Sequence, residues 1–141
     1  MKILFTGGGT LGPVTPLLAV HEEWKKHDKK VAAVWVGTKQ GPERELIEKA
    51  GIRFITIPVA RLPRKISFEL ILLPTSLLVA IIKSFIILII ERPSLIASAG
   101  GYTAVPIVFA GWVFRIPAWI HQQDVNPLLT NRLTAPFAKK I

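Results

Sequence analysis

The chain contains no cysteine, and that absence removes several kinds of chemistry at once. A disulfide scaffold, a thiolate metal site and a cysteine nucleophile are all excluded, and a cysteine-free chain suits a reducing cytoplasm. Acidic side chains are also scarce. Nine Asp and Glu face 18 Lys and Arg, leaving a formal charge of +9. Low-complexity tracts and internal linkers are missing too, so residues 1–141 read as a single domain long enough to bury a sizeable core. The opening MKILFTGG lacks a basic n-region and a small-residue cleavage site, so a secretory leader is not expected.

Apolar residues are plentiful. They make up 50% of the chain, and the mean hydropathy is +0.45. The excess positive charge needs a partner, but the basic residues are dispersed (Lys25-Lys26, Lys29-Lys30, Arg61, Arg64-Lys65, Lys139-Lys140). They lack the interleaved aromatics of a nucleic-acid stacking platform, so nucleic acid is not expected. An anionic membrane surface fits better, because it attracts each nearby Lys or Arg by about 1 kcal/mol.

Along the chain, short apolar runs alternate with helical patterns. Lys2–Phe5, Val31–Val36, Ile52–Pro58, Leu95–Ser98 and Ala118–His121 have the length and punctuation of buried strands. Pro16–Trp24, Pro42–Gly51 and Val105–Phe114 have helical spacing, the second opening on proline and closing on glycine as helix termini do. The alternation predicts an α/β fold, a Rossmann-like parallel sheet with helices on both faces.

Two glycine loops stand out. TGGGTLGPVTP (Thr6–Pro16) follows the first strand, and SAGGYTAVP (Ser98–Pro106) ends a later one; both lead through proline into an apolar helix. Loops at the carboxyl ends of two parallel strands are expected to face each other across one crevice, where open α/β sheets bind ligands. Gly7-x-Gly9-x-x-Gly12 also spells the dinucleotide fingerprint, in which backbone amides at a helix N-terminus approach a diphosphate. Such a site wants an acid near the end of the second strand. Here that strand runs into Gly37-Thr38-Lys39, where Lys39 could imitate a 2′-phosphate reader, and the first acid is Glu43.

Ile66–Ile90, ISFELILLPTSLLVAIIKSFIILII, is apolar for longer than the roughly 20 residues needed to cross a bilayer. Lys83 within it opposes a span, and so does topology, since the strands before and after it belong to one sheet. The expectation is one or two helices, broken near Pro74, with one face on the sheet and another on lipid. The basic stretch RLPRK, Arg61 to Lys65, would anchor them at the headgroups. The alternative is a helix buried wholly in protein. Arg61, Arg64, Lys65, Phe68 and Leu72 are the candidate membrane contacts. His21 and His27 are expected on the surface.

These motifs together resemble the N-terminal domain of the MurG-type N-acetylglucosaminyltransferases, glycosyltransferase family 28, of the GT-B superfamily. TGGGTLGPVTPLLAV resembles that family's first glycine loop, GTKQGPERELIEKAGIRF its GTKxGxE region, and ARLPRK its basic stretch before a membrane-associated helix. ERPSLIASAGGYTAVP resembles its second glycine loop, and RIPAWIHQQDVNPLLTNRLTAPFA its IPxxxHEQNxxPGxxNR segment. The resemblance covers the whole chain in order.

It implies one half of a two-domain transferase that moves N-acetylglucosamine from UDP-N-acetylglucosamine to a lipid-diphosphate-linked sugar (lipid I) in peptidoglycan synthesis. That half binds the acceptor at the cytoplasmic face of the plasma membrane, as a peripheral protein. The donor-binding domain or subunit would be separate, and no cofactor or metal is implied. Carried over by position, Gly8, Gly9, Thr10, Gly12, Gly100, Gly101, Tyr102 and Thr103 line the acceptor site, with Gln123, Asn126 and Asn131 helping.

The chain departs from the family at two places. The first loop of the family usually reads GGTGGH, whereas Leu11 and Pro13 stand here at the second glycine and the histidine. Pro13 can neither accept a proton nor donate a backbone hydrogen bond. The HEQN motif becomes His121-Gln122-Gln123-Asp124, which puts a carboxylate in place of an amide. Asp124 is therefore the first candidate for general base, with His121 second. Two rival readings fit the same residues: a nucleotide-cofactor-binding Rossmann domain, and a membrane-bound scaffold that recruits a partner.

Overall fold

A computed structural model describes residues 1–39, 41–59, 69–123, 125–127 and 129–141, with the backbone alone for 69–73. Five strands, β1 (Lys2–Thr6), β2 (Ala32–Gly37), β3 (Arg53–Thr56), β4 (Leu95–Ser98) and β5 (Ala118–Ile120), form one parallel sheet in the order β3-β2-β1-β4-β5. The crossovers carry helices α1 (Val14–His27), α2 (Glu43–Lys49), α3 (Glu69–Glu91) and α4 (Ala104–Val113), and α5 (Leu129–Thr134) follows β5.

The strands are apolar on both sides because helices cover both faces. On one face Ile3, Phe5 and Trp35 pack with Val14 and Leu17 of α1 and Ile47 of α2. On the other, Leu4, Val34 and Ile96 pack with Ile87 and Leu88 of α3 and Ile107 and Val108 of α4. Alternate residues of β1 thus feed two separate cores. The order of the strands reverses between β1 and β4, and a doubly wound sheet opens its ligand crevice beyond the carboxyl ends of such a pair. Both glycine loops leave the sheet at that point, since Thr6 ends β1 directly opposite Ser98 at the end of β4.

Two expectations need correction. Helix α3 is not broken near Pro74; it runs through the proline from Glu69 to Glu91. Pro74 is the sixth residue of α3, and the helix continues through it without the i→i−4 hydrogen bond that a proline cannot donate. His21 is not on the surface. It is 4% exposed and meets the Phe5 ring edge-on at 5.7 Å. Burial, and secondarily the nearby Lys25, lowers its pKa, while Glu22 opposes the shift. His27 is exposed, as expected, beside Glu23.

Pro74–Glu91 is long and apolar enough to cross a membrane, with a mean hydropathy of 2.0. It does not cross one here, because β3 before it and β4 after it lie in the same sheet. Nor is it wholly buried within this chain. Ala80, Ser84, Ile87, Leu88 and Glu91 form the covered stripe, while Leu78, Ile82, Ile86, Ile89 and Ile90 are exposed. Its inner end is held electrostatically. The buried Glu91 carboxylate accepts a hydrogen bond from Lys2 Nζ at 3.0 Å and also pairs with the Arg53 guanidinium.

Candidate functional site

The two glycine loops touch at Gly8 and Gly101. A Cβ placed on Gly101 would lie 2.7 Å from the carbonyl oxygen of Gly8 and 2.9 Å from its nitrogen. Side chains longer than hydrogen would separate the loops, so glycine is required by space as well as by φ +87°. Beneath this contact Thr6 Oγ1 donates to Thr103 Oγ1 at 3.1 Å in a buried setting. Beside it the Tyr102 ring lies against Gly9.

The segment after β5 closes the third side. Gln123 Nε2 donates to the carbonyl oxygen of Gly12 at 3.1 Å, across 111 residues of sequence. Asn131, on α5, is buried with its Oδ1 against Gly100, and its Nδ2 donates to Gln122 Oε1. The Asn131 Oδ1 has no hydrogen-bond partner among the described residues.

The residues carried over by resemblance therefore converge. Gly8, Gly9, Gly12, Gly100, Gly101, Tyr102, Thr103, Gln123 and Asn131 occupy one locus at the switch point. Thr10 is exposed on the rim of the first loop, and Asn126 is exposed beyond β5. His121 follows β5 at the edge of this locus. Its backbone N–H donates to Ser98, but its exposed ring borders a neighbouring groove with Trp24 and Trp119, whose rings stack at 5.9 Å. Asp124 lies outside the described residues, as do Arg61, Arg64, Lys65 and Phe68; Leu72 falls on α3 where the backbone alone is described. No cluster of His, Asp and Glu able to hold a metal ion occurs among the described residues.

One residue of the site is absent from the sequence-based candidates. Glu43, the first residue of α2, is wholly buried, and its carboxylate reaches back to the first loop, accepting from Gly9 N–H at 3.3 Å. Its position in the GTKxGxE stretch was the available signal, but sequence spacing alone could not show which way it points.

Comparison with known proteins settles the family. Residues 3–141 match the glycosyltransferase family 28 N-terminal domain. The chain belongs to this family. Relatives of the family 28 domain include the UDP-N-acetylglucosamine--N-acetylmuramyl-(pentapeptide) pyrophosphoryl-undecaprenol N-acetylglucosamine transferases of Carboxydothermus hydrogenoformans, 39% identical over 139 residues, and Legionella pneumophila, 38% identical over 140. These matches cover 96% and 99% of this chain but 36% and 38% of the relatives, so it spans well under half their length. Acinetobacter baumannii MurG superposes with a TM-score of 0.81 at 24% identity, covering 98% of this chain and 40% of that one. The Neisseria meningitidis UDP-GlcNAc 2-epimerase superposes at 0.67 with 16% identity, covering 99% and 39%. At these identities the structural matches speak for the fold. They bear out the Rossmann-like half of a GT-B architecture that the sequence predicts.

Proposed function

We propose that the chain is the acceptor-binding half of a glycosyltransferase that moves N-acetylglucosamine from UDP-N-acetylglucosamine to a lipid-diphosphate-linked sugar, lipid I. The observation that carries this reading is the convergence of two glycine loops and the Gln123–Asn131 segment at the β1–β4 switch point. Backbone amides at such a point suit a diphosphate. The donor nucleotide belongs to a second, donor-binding half, from the same or another polypeptide.

In the reaction the acceptor hydroxyl oxygen attacks C1 of the donor sugar with inversion. The new C–O bond forms as the bond from C1 to the diphosphate breaks, UDP departs, and the hydroxyl proton passes to a base. Asp124 is proposed as that base, because a carboxylate accepts a proton where an amide does not. His121 is the second candidate; it borders the groove lined by Pro16, Trp24, Ser98 and Trp119.

The chain works at the cytoplasmic face of the plasma membrane. Supporting this, the outer face of α3 joins the end of α4 in one exposed apolar surface, with Phe85 and Phe114 in edge-to-face contact at 5.3 Å. Leu78, Ile82, Ile89 and Ile90 on α3 and Trp112 on α4 are all more than half exposed, at 51–68%. Contiguous patches of this kind mark interaction surfaces, and the +9 charge favours anionic lipid.

The direct test pairs this chain with its donor-binding half and measures transfer to a short-chain lipid I analogue. Asp124→Asn is expected to lower kcat by about 100-fold or more, the range for loss of a general base. Unchanged turnover would dismiss Asp124, and absence of transfer by the unaltered pair would dismiss the acceptor role.

A further inference from the structure

The first glycine loop carries a dinucleotide fingerprint, yet one of its amides already donates to an acidic side chain of this chain. Glu43 projects from the start of α2 into the hollow of the loop and is 0% exposed. One carboxylate oxygen accepts from Gly9 N–H at 3.3 Å. The other accepts from Thr38 N–H at 2.8 Å and from Thr38 Oγ1–H at 2.5 Å. One of these donors, the Gly9 amide, belongs to the glycine turn, and the other two come from Thr38 just after β2, so the buried carboxylate ties the two segments together.

The surroundings are shaped for this one group. A Cβ added at Gly8 or Gly41 would collide with the Glu43 carboxylate, and one at Gly37 would lie 3.2 Å from its Oε1. These glycines come from three separate stretches, the first loop, the end of β2 and the turn before α2. The loop is also held from its other side, where the Trp35 indole N–H donates to the Gly7 carbonyl at 2.9 Å. Both grips come from the β2–α2 unit, so the backbone that presses on Gly101 is set by residues from a neighbouring crossover.

We propose that Glu43 is a positioning residue. Its carboxylate serves as a built-in anion for the first glycine loop, holding it in the shape that meets the second loop and shutting nucleotide phosphates out of the turn. The acceptor part of this inference rests on the function proposed above; the clasp itself does not. It follows that Lys39 is no 2′-phosphate reader, and that a lipid diphosphate lies on the outer rim of the paired loops.

Amide exchange by NMR on the 141-residue chain tests the clasp, with circular dichroism confirming that each variant folds. In the unaltered chain the Gly9 and Thr38 amides should exchange at least 100-fold more slowly than unstructured amides. Glu43→Gln keeps one carbonyl acceptor for the Thr38 donors but turns an NH2 toward the Gly9 N–H. It should preserve protection at Thr38 while lowering it about tenfold at Gly9, a split that general loosening would not produce. Glu43→Ala should lose both. Farnesyl diphosphate and NADP⁺ serve as the probes in titration calorimetry. Glu43→Ala should weaken farnesyl diphosphate binding about tenfold, with partial recovery in Glu43→Gln, and NADP⁺ should not bind the unaltered chain. Fast exchange of Gly9 in the unaltered chain, equal effects of both variants, NADP⁺ binding that shifts the Gly9 signal, or unchanged farnesyl diphosphate affinity in Glu43→Ala would each overturn the proposal. If the unaltered chain ignores farnesyl diphosphate while the exchange pattern holds, the acceptor reading and the positioning role in it fall, and the clasp stands.

Discussion

Replacing Gly101 by alanine probes the contact on which the site depends. Two costs are expected. An L-residue held at φ +87° carries a left-handed strain of about 1–2 kcal/mol. The added Cβ would also stand 2.7 Å and 2.9 Å from the Gly8 oxygen and nitrogen, against an ordinary contact of 3.4–4 Å. Both opposing atoms are backbone and cannot rotate away, so the first loop must shift, at an overpacking cost of about 1–3 kcal/mol. The sum is about 2–5 kcal/mol, a large part of the stability of an ordinary domain. Two other glycines separate the terms. Gly51 has φ +73° with nothing within 4 Å of an added Cβ, so Gly51→Ala should show the strain alone. Gly12 has no positive φ and meets only Thr10 Oγ1 at 3.8 Å, so Gly12→Ala should change stability by less than about 0.5 kcal/mol. Urea unfolding followed by tryptophan fluorescence gives all three values. A Gly101→Ala variant no less stable than Gly51→Ala would refute the loop–loop contact.

Other perturbations test separate parts of the molecule. His21 has a folded-state pKa below its ordinary value of 6.5, so the unfolded chain binds its proton first as pH falls. Its stabilising contribution is complete above pH 6.5 and is lost as pH drops toward the lowered value, with a slope of at most about 1.4 kcal/mol per pH unit. His21→Leu should flatten the urea midpoint across that window; an unchanged slope would mean His21 is not the group responsible. At Glu91, substituting both Lys2 and Arg53 by Met strands a carboxylate whose side chain is 4% exposed, and should cost about 1–3 kcal/mol. Glu91→Gln, which leaves only half-exposed cations to rehydrate, should cost less in the same unfolding assay. On the outer face of α3, the double variant Ile82→Asp and Ile89→Asp should lower flotation with anionic vesicles at least tenfold, since each buried isoleucine contributes about 1.5–3 kcal/mol. Equal flotation would show that this face does not meet lipid.

Most of the architecture was legible in the chain because its signals are local. Apolar runs of four to seven residues, set off by glycines and prolines, marked all five strands, and β4 has the predicted limits, Leu95–Ser98. Helix ends were harder. Both α3 and α4 are followed by an arginine in the left-handed region, Arg92 at φ 46° and Arg115 at φ 58°, where glycine is the usual signal. Pro93 and Pro117 instead signalled the entries to the strands that follow, β4 and β5. His21 was misplaced because two acids and two lysines nearby suggest a solvated helix face, whereas the ring turns inward to meet Phe5 from β1.

Sequence alone determined the alternation of strands and helices, the two glycine loops and the family, since each depends on residue types close together along the chain. Tertiary structure decided how these parts meet. The strand order brings residues 8 and 101 into backbone contact, and folds Gln123 onto Gly12. It also turns Glu43 into the loop that a fingerprint reading would leave for a phosphate. Such contacts join segments separated by tens of residues, and no local propensity encodes the direction from which a distant side chain arrives.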